Sequence, residues 1–312
     1  MTIATHALSQ KDAAVVGQMR EALKGVKGTV TGPHARPMFD DIMKGVAPAD
    51  NIESEEGFVG GVPGMWVRPP SGPGDRAILY LHGGAYVVGS PRAYVNFVGQ
   101  MVSRSGIPAF VADYALAPER RFPAAIDDAL LAYHGLVEQG IRQIALAGDS
   151  AGGGLALALL SQVKNADPTP SSVVAISPWT DLALTSPSML SRDAADPIWS
   201  AAALAEMARL YLGNADPRNP LASPVYADRW GFPPVLIHVG DAEVLLDDTL
   251  RYAEGSDGVE VHVWDGMLHV FPSSAGILDA ANAALDSIGK FIASNMTSAP
   301  SRERTENVAA RR

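Results

Sequence analysis

The stretch Ile144–Gly154, IALAGDSAGGG, decides how this chain folds. An apolar segment of strand character, QIALAG (Gln143–Gly148), runs straight into LALALLSQV, which predicts a helix over Gly153–Lys164. Between them, Gly148-Asp149-Ser150-Ala151-Gly152 puts a serine at the junction with small residues on both sides. A bare G-x-S-x-G match arises by chance about 0.2 times in a chain of this length and composition, so the motif alone decides little. Its position decides more. A strand that reverses sharply into a helix needs small neighbours so that the backbone can fold back, and such a turn presents the hydroxyl above the sheet. The N–H groups opening the helix favour negative charge at the same place. The bland alternative is a serine that merely caps a helix.

Outward from this junction, short apolar strands alternate with helices. RAILYL (Arg76–Leu81), PAFVADY (Pro108–Tyr114), SVVAIS (Ser172–Ser177), PVLIHVG (Pro234–Gly240) and VEVHVW (Val259–Trp264) read as strands. Helical segments are predicted near Ala93–Ser105 and Ala124–Gln139. This rhythm predicts an α/β class, with a mainly parallel sheet covered by helices on both faces. The leading residues hold two candidate helices, KDAAVVGQMREALKGV and ARPMFDDIMKGV, expected to precede the sheet rather than join it. Pro178 to Pro233 breaks the rhythm with one clear helix, SAAALAEMARLYLG, and reads as an insertion at the carboxyl edge, where ligand sites form in open α/β folds. The last periodic element, Ser273–Asn295, places Ile277, Ala281, Leu285, Ile288 and Ile292 on one stripe. Residues 297–312, polar and aperiodic, are expected to be a flexible tail.

Composition narrows the classes. Hydrophobic residues make up 47% and charged residues 19% of the 312, as expected of a folded domain. A formal net charge of −10, with basic residues clustered only in RERTENVAARR, argues against nucleic acid and anionic membrane as partners. No apolar run is long enough to span a bilayer. With no cysteine there is neither a disulfide nor a thiolate metal site, and with no secretory pattern at the start the expected location is the cytoplasm.

A serine nucleophile needs a base, a partner for that base and donors for an oxyanion. Donors are expected from His82-Gly83-Gly84-Ala85, small residues in a loop directly after a strand, together with the N–H of Ala151. Seven histidines compete for the base. His238 and His262 lie in strands, His134 in a helix, His82 in the glycine loop, and His6 and His34 in the leading region. Only His269, in DGMLHVFP, sits in a loop between the last strand and the last helix. For the acid, Asp241 and Glu243 both follow a strand end and lie between Ser150 and His269 in chain order. The residues alone leave that choice open. Tyr86, Trp179, Trp199 and Tyr211 are candidates for a substrate-pocket wall.

The segments HGGAY, DYALAPERRFPAAIDDA, GDSAGGG, SPWTDL, EVLLDD and DGMLHVF, in that order, resemble the bacterial hormone-sensitive-lipase (family IV) esterases of the α/β-hydrolase superfamily, over roughly Ile78 to Phe271. The resemblance implies a serine, acid and histidine triad, a helical cap, and hydrolysis of short-chain carboxylic esters with neither metal nor organic cofactor. The family's acid is followed by leucine two places on and a carboxylate four places on. Glu243, Leu245 and Asp247 fit that spacing, which makes Glu243 the implied acid and Asp241 the runner-up. Two departures stand out. Ala85 occupies a position commonly glycine, and Ala115 one commonly arginine, so an ion pair made there is expected to be lost.

The organisation expected is a helical cap segment over residues 1–48, a hydrolase domain over 49–296 with a cap insertion at 178–233, and the tail. The expected partner is a small-molecule ester, with a homodimer admissible. A lactone hydrolase using the same groups is the near alternative, and a non-catalytic receptor on the same fold the distant one.

Overall fold

A computed structural model describes residues 1–254, 256 and 258–296. The proposed tail, 297–312, lies outside the described residues. In chain order come β1 (Thr2–His6), α1 (Gln10–Ala22), α2 (Arg36–Lys44), β2 (Glu53–Val59), β3 (Val62–Arg68), β4 (Arg76–Leu81), α3 (Pro91–Ser105), β5 (Ala109–Ala112), α4 (Ala124–Glu138), β6 (Gln143–Asp149), α5 (Ser150–Val163) and β7 (Ser172–Ile176). There follow α6 (Ser188–Ser191), α7 (Ala201–Leu212), β8 (Val235–Gly240), α8 (Leu246–Ala253), β9 (Val259–Trp264) and α9 (Asp279–Asn295). The strands form one nine-stranded sheet in the order β1-β9-β8-β7-β6-β4-β5-β3-β2. Only β3 runs antiparallel to its neighbours, β2 and β5. Among the described residues no helix is long and apolar enough to cross a membrane.

The central strands are apolar throughout because both faces are covered. Along β4, Ala77, Leu79 and Leu81 join one core with α4 and α5, while Ile78 and Tyr80 join a second core with α3 and α9. The same alternation divides Ile144 and Leu146 of β6 from Ala145 and Ala147. Each buried leucine or isoleucine contributes about 1.5–3 kcal/mol, so the pairing of β4, β6 and β7 carries the fold.

The edges depart from the sequence reading. The leading region does join the sheet, since β1 pairs in parallel with β9 through Thr2–His6. Five residues with a largely exposed pattern carry no strand signal of their own, and the ladder to β9 is what makes them a strand. The hairpin β2–β3 was equally hidden, because ESEEGFV is mostly charged and exposed and VPGMWVR holds Pro and Gly. At the other end α9 begins only at Asp279. Ala281, Leu285, Ile288 and Ile292 are buried on its stripe, whereas Ile277 lies before the helix and is 58% exposed. The stretch after Glu243 accommodates an eight-residue helix, α8, by starting at Leu246.

Glycines set how closely α5 approaches the sheet. A Cβ on Gly148 would lie 2.3 Å from the Gly152 carbonyl oxygen, and one on Gly152 would lie 2.0 Å from that of Leu81. Gly152→Ala should therefore cost about 1–3 kcal/mol or more in urea unfolding, since backbone rather than a flexible side chain must yield. Gly17→Ala in α1, with nothing within 4 Å, should be neutral or gain up to about 1 kcal/mol. Equal stabilities for the two variants would contradict this packing.

Candidate active site

Ser150 is the first residue of α5 and holds φ 52°, a left-handed conformation that a side chain adopts only when its surroundings impose it. The glycine contacts just described are those surroundings. Ser150 is nearly buried rather than open at the turn. Its hydroxyl lies 2.9 Å from His269 Nε2, and His269 Nδ1 lies 2.6 Å from Glu243 Oε2. With the ring proton on Nδ1, the imidazole donates to the carboxylate and accepts from the serine, and the carboxylate fixes that tautomer. Asp241 lies outside this line of contacts; its Oδ1 accepts from the Gly266 N–H at 2.6 Å.

Glu243 is fully buried, and its second oxygen accepts from the Ser177 hydroxyl and the Gly240 N–H, both at 2.8 Å. Ser177 Oγ accepts in turn from the Val270 N–H at 3.0 Å. Ser177 thus ties the acid to the backbone beside the histidine. Its sequence signal was only a serine at a strand end before Pro178, and its value depends on a φ of 46° that no pattern reveals.

Burial is the largest single influence on His269 and opposes its charge, but the raising influences, led by the charge and hydrogen bond of the Glu243 carboxylate, together carry the histidine above its ordinary 6.5. Asp196 and Asp149 add to the rise. His82 is the opposite case. Burial drives it down to about 4, and its Nδ1 donates to the Gly83 carbonyl, so it shapes the glycine loop as a neutral ring.

Of the loop donors, Gly83 is spoken for, since its N–H donates to Asp149 Oδ1 at 3.0 Å. Among the described residues no acceptor takes the N–H of Gly84, Ala85 or Ala151. Asp149 also accepts from the hydroxyls of Tyr80 (2.7 Å) and Tyr94 (3.1 Å). Burial raises it to about 6 against these donors, which leaves it mainly a carboxylate at neutral pH. It fastens the loop to the serine turn. Ala115 offers Asp128 only its backbone N–H, at 2.9 Å, and the ion pair to Asp128 comes from Arg120 at 2.8 and 3.0 Å.

A cavity of about 140 Å³ opens on Ser150, Gly84 and His269. Its apolar wall comes from Leu23, Val26, Val30 and Phe39 of the leading region and from Ile198 and Trp199 of the 178–233 interval. Trp199 stands edge-on to the His269 ring, centroids 6.1 Å apart. The other predicted wall aromatics are elsewhere: Tyr86 stacks on Tyr211 at 3.9 Å and packs against Trp179, all three buried in the core and absent from this lining. Aromatic type did not separate wall from core. The aliphatic wall residues Leu23, Val26, Val30 and Ile198 lie in connecting segments outside the helices, where no periodicity marks them.

Residues 78–273 match a family described as alpha/beta hydrolase fold. The chain is 40% identical over 255 residues to an acetyl-hydrolase of Streptomyces hygroscopicus, covering 80% of this chain and 83% of that one. The chain belongs to the bacterial hormone-sensitive-lipase family of α/β-hydrolase esterases. An esterase of Acinetobacter venetianus is 32% identical over 83% of this chain and 88% of its own. A crystal structure of an esterase from the bacterial hormone-sensitive lipase family superposes with TM-score 0.85 at 36% identity, over 93% of this chain and 99% of that one.

The His269 environment makes a directional prediction for this esterase. Followed by NMR, the ring should titrate above 6.5 in the wild type. In Glu243→Gln the main raising influence is gone and burial prevails, so the midpoint should fall. A midpoint that stays or rises would contradict the pairing.

Proposed function

We propose that this esterase hydrolyses short-chain carboxylic esters through an acyl-enzyme on Ser150. The supporting observation is the unbroken line from Glu243 through His269 to Ser150, 2.6 and 2.9 Å, beside N–H groups that have no acceptor among the described residues. In the first step His269 Nε2 takes the serine proton as Oγ attacks the ester carbonyl. Glu243 stabilises the imidazolium, and the N–H groups of Gly84, Ala85 and Ala151 receive the charge that develops on the carbonyl oxygen. His269 then returns the proton to the leaving alkoxide, and the alcohol departs. Water repeats the sequence on the acyl-enzyme, releasing the acid and restoring Ser150.

The size of the cavity favours short acyl groups. An apolar cavity of roughly 150 Å³ holds a molecule the size of benzene, so acyl chains of about two to six carbons suit the space at Ser150. We further read the leading region that follows β1, up to residue 48, together with 178–233 as a cap over a hydrolase domain that takes in β1 as well as residues 49–296. Leu23, Val26 and Val30 on one side and Ile198 and Trp199 on the other supply the walls that would exclude water.

The test is a series of p-nitrophenyl esters of graded acyl length, run on wild type, Ser150→Ala, Glu243→Gln and Asp241→Asn, with folding checked by circular dichroism. Wild type should peak at or below about six carbons. Ser150→Ala should lose nearly all turnover, Glu243→Gln should lose about 10²–10⁴ in kcat, and Asp241→Asn much less. Loss of no more than tenfold in Ser150→Ala would remove the serine mechanism. An Asp241→Asn defect larger than that of Glu243→Gln would move the acid.

A further inference from the structure

Asp196, in the sequence DAADPIWS, carried no signal for function, yet it is a carboxylate only 1% exposed. It has no cationic partner among the described ion pairs. It is held instead by backbone N–H groups from two separate parts of the chain. Oδ1 accepts from Ile198 (2.8 Å) and Trp199 (2.9 Å), the residues that wall the cavity, and Oδ2 accepts from Val244 (3.0 Å), the residue after Glu243. Charge-assisted bonds of this kind are stronger than neutral ones, and a buried N–H deprived of its acceptor is costly.

The segment around Asp196 is itself tied to the leading region. Arg20 of α1 donates to the Ala195 carbonyl, Lys27 pairs with Asp193 at 3.0 Å, and the Gly28 N–H donates to the Ile198 carbonyl at 3.1 Å. On the other side of the acid loop, the Ser188 hydroxyl donates to the Val244 carbonyl at 2.6 Å and accepts from the Asp247 N–H at 2.9 Å. The Val244 peptide is therefore gripped at its N–H by Asp196 and at its carbonyl by Ser188.

We propose that Asp196 is a positioning residue for the ester-hydrolysis reaction: it locks the cavity wall at Ile198–Trp199 to the acid loop at Val244, so that a correctly seated wall and a correctly aimed Glu243 are one structural state. The proposal rests on the esterase reading given above. It explains why a carboxylate is kept in so dry a place. One anionic side chain can accept from both segments at once, and its charge also favours the imidazolium that forms on His269 during turnover. The groups acting on that ring are Glu243, Asp196 and Asp149, so Asp196 is the one among them that arrives from the 178–233 interval.

The variants separate the two arms of the lock. Asp196→Asn keeps an oxygen for Ile198 and Trp199 but turns an amide toward the Val244 N–H, so it breaks the link to the acid and removes the charge while sparing the wall. Asp196→Ala breaks both. With p-nitrophenyl acetate, Asp196→Asn should lower kcat by about ten- to a hundredfold, the scale of a small misplacement of a reacting group, with KM nearly unchanged. Asp196→Ala should lower kcat similarly and raise KM as well. The His269 midpoint, read by NMR and in the acid limb of kcat/KM, should move to lower pH in both. A purely structural Asp196 would lower the melting temperature and leave the midpoint and the kcat of the folded fraction at wild-type values, and that result overturns the proposal. In the wild type, the amides of Ile198, Trp199 and Val244 should exchange with deuterium as one group. Val244 exchanging independently of the other two would overturn it even if neither variant folds. Absence of ester turnover by the wild type would contradict the esterase reading instead, while the NMR and exchange arms still report on the lock.

Discussion

The close approach of α5 to the ends of β4 and β6 is the constraint from which the site follows. Glycines at 148 and 152 let backbone touch backbone there, and the geometry that results holds Ser150 at φ 52°. Ala151, the second residue of the helix, carries an N–H that no acceptor among the described residues takes. The glycine loop after β4 reaches the same point because β4 and β6 are neighbours in the sheet, in register from Arg76 with Gln143 to Leu81 with Gly148. Ser150 and the glycine loop are thus brought together by adjacent parallel strands. Asp149 then secures the arrangement, bonding to Gly83 from the residue just before the serine.

Electrostatics completes what topology begins. His269 is buried, and burial alone would keep it neutral and a poor acceptor of protons. Three carboxylates placed around the ring, Glu243 in contact and Asp196 and Asp149 farther off, reverse that tendency. Each is held by donors rather than by a cation: Ser177 and Gly240 for Glu243, three backbone N–H groups for Asp196, and two tyrosines and Gly83 for Asp149. Hydrogen-bonded anions keep their charge directed at the imidazole, whereas a neighbouring arginine would neutralise it.

What the sequence made legible was what repeats or what is spaced. Short apolar strands such as RAILYL and QIALAG showed the parallel sheet, and the serine turn, the glycine loop and the loop histidine stood at strand ends where a hydrolase needs them. Glu243 is separable from Asp241 in the sequence only by a resemblance in spacing; in the structure Glu243 lies against His269 while Asp241 accepts from the Gly266 N–H. The edge strand Thr2–His6 and the hairpin β2–β3 were not legible, because partners rather than their own residues make them strands. A glycine loop does not say which N–H the neighbouring Asp149 will claim, so in the sequence Gly83 reads as a free donor, whereas its N–H is bonded to Asp149. Ser177 and Asp196 escaped for a similar reason. Each acts by joining segments far apart in the chain, and a single serine or aspartate carries no mark of the contacts it will make.

The account stands or falls on Ser150 as the residue that carries the acyl group. The direct measurement is intact-mass and peptide analysis of the protein after reaction with a p-nitrophenyl phosphonate, with ester hydrolysis followed in parallel. One adduct per chain, mapped to Ser150 and appearing in step with loss of activity, is the predicted result. Full inhibition with the adduct on another residue, or full labelling of Ser150 with hydrolysis intact, would contradict it.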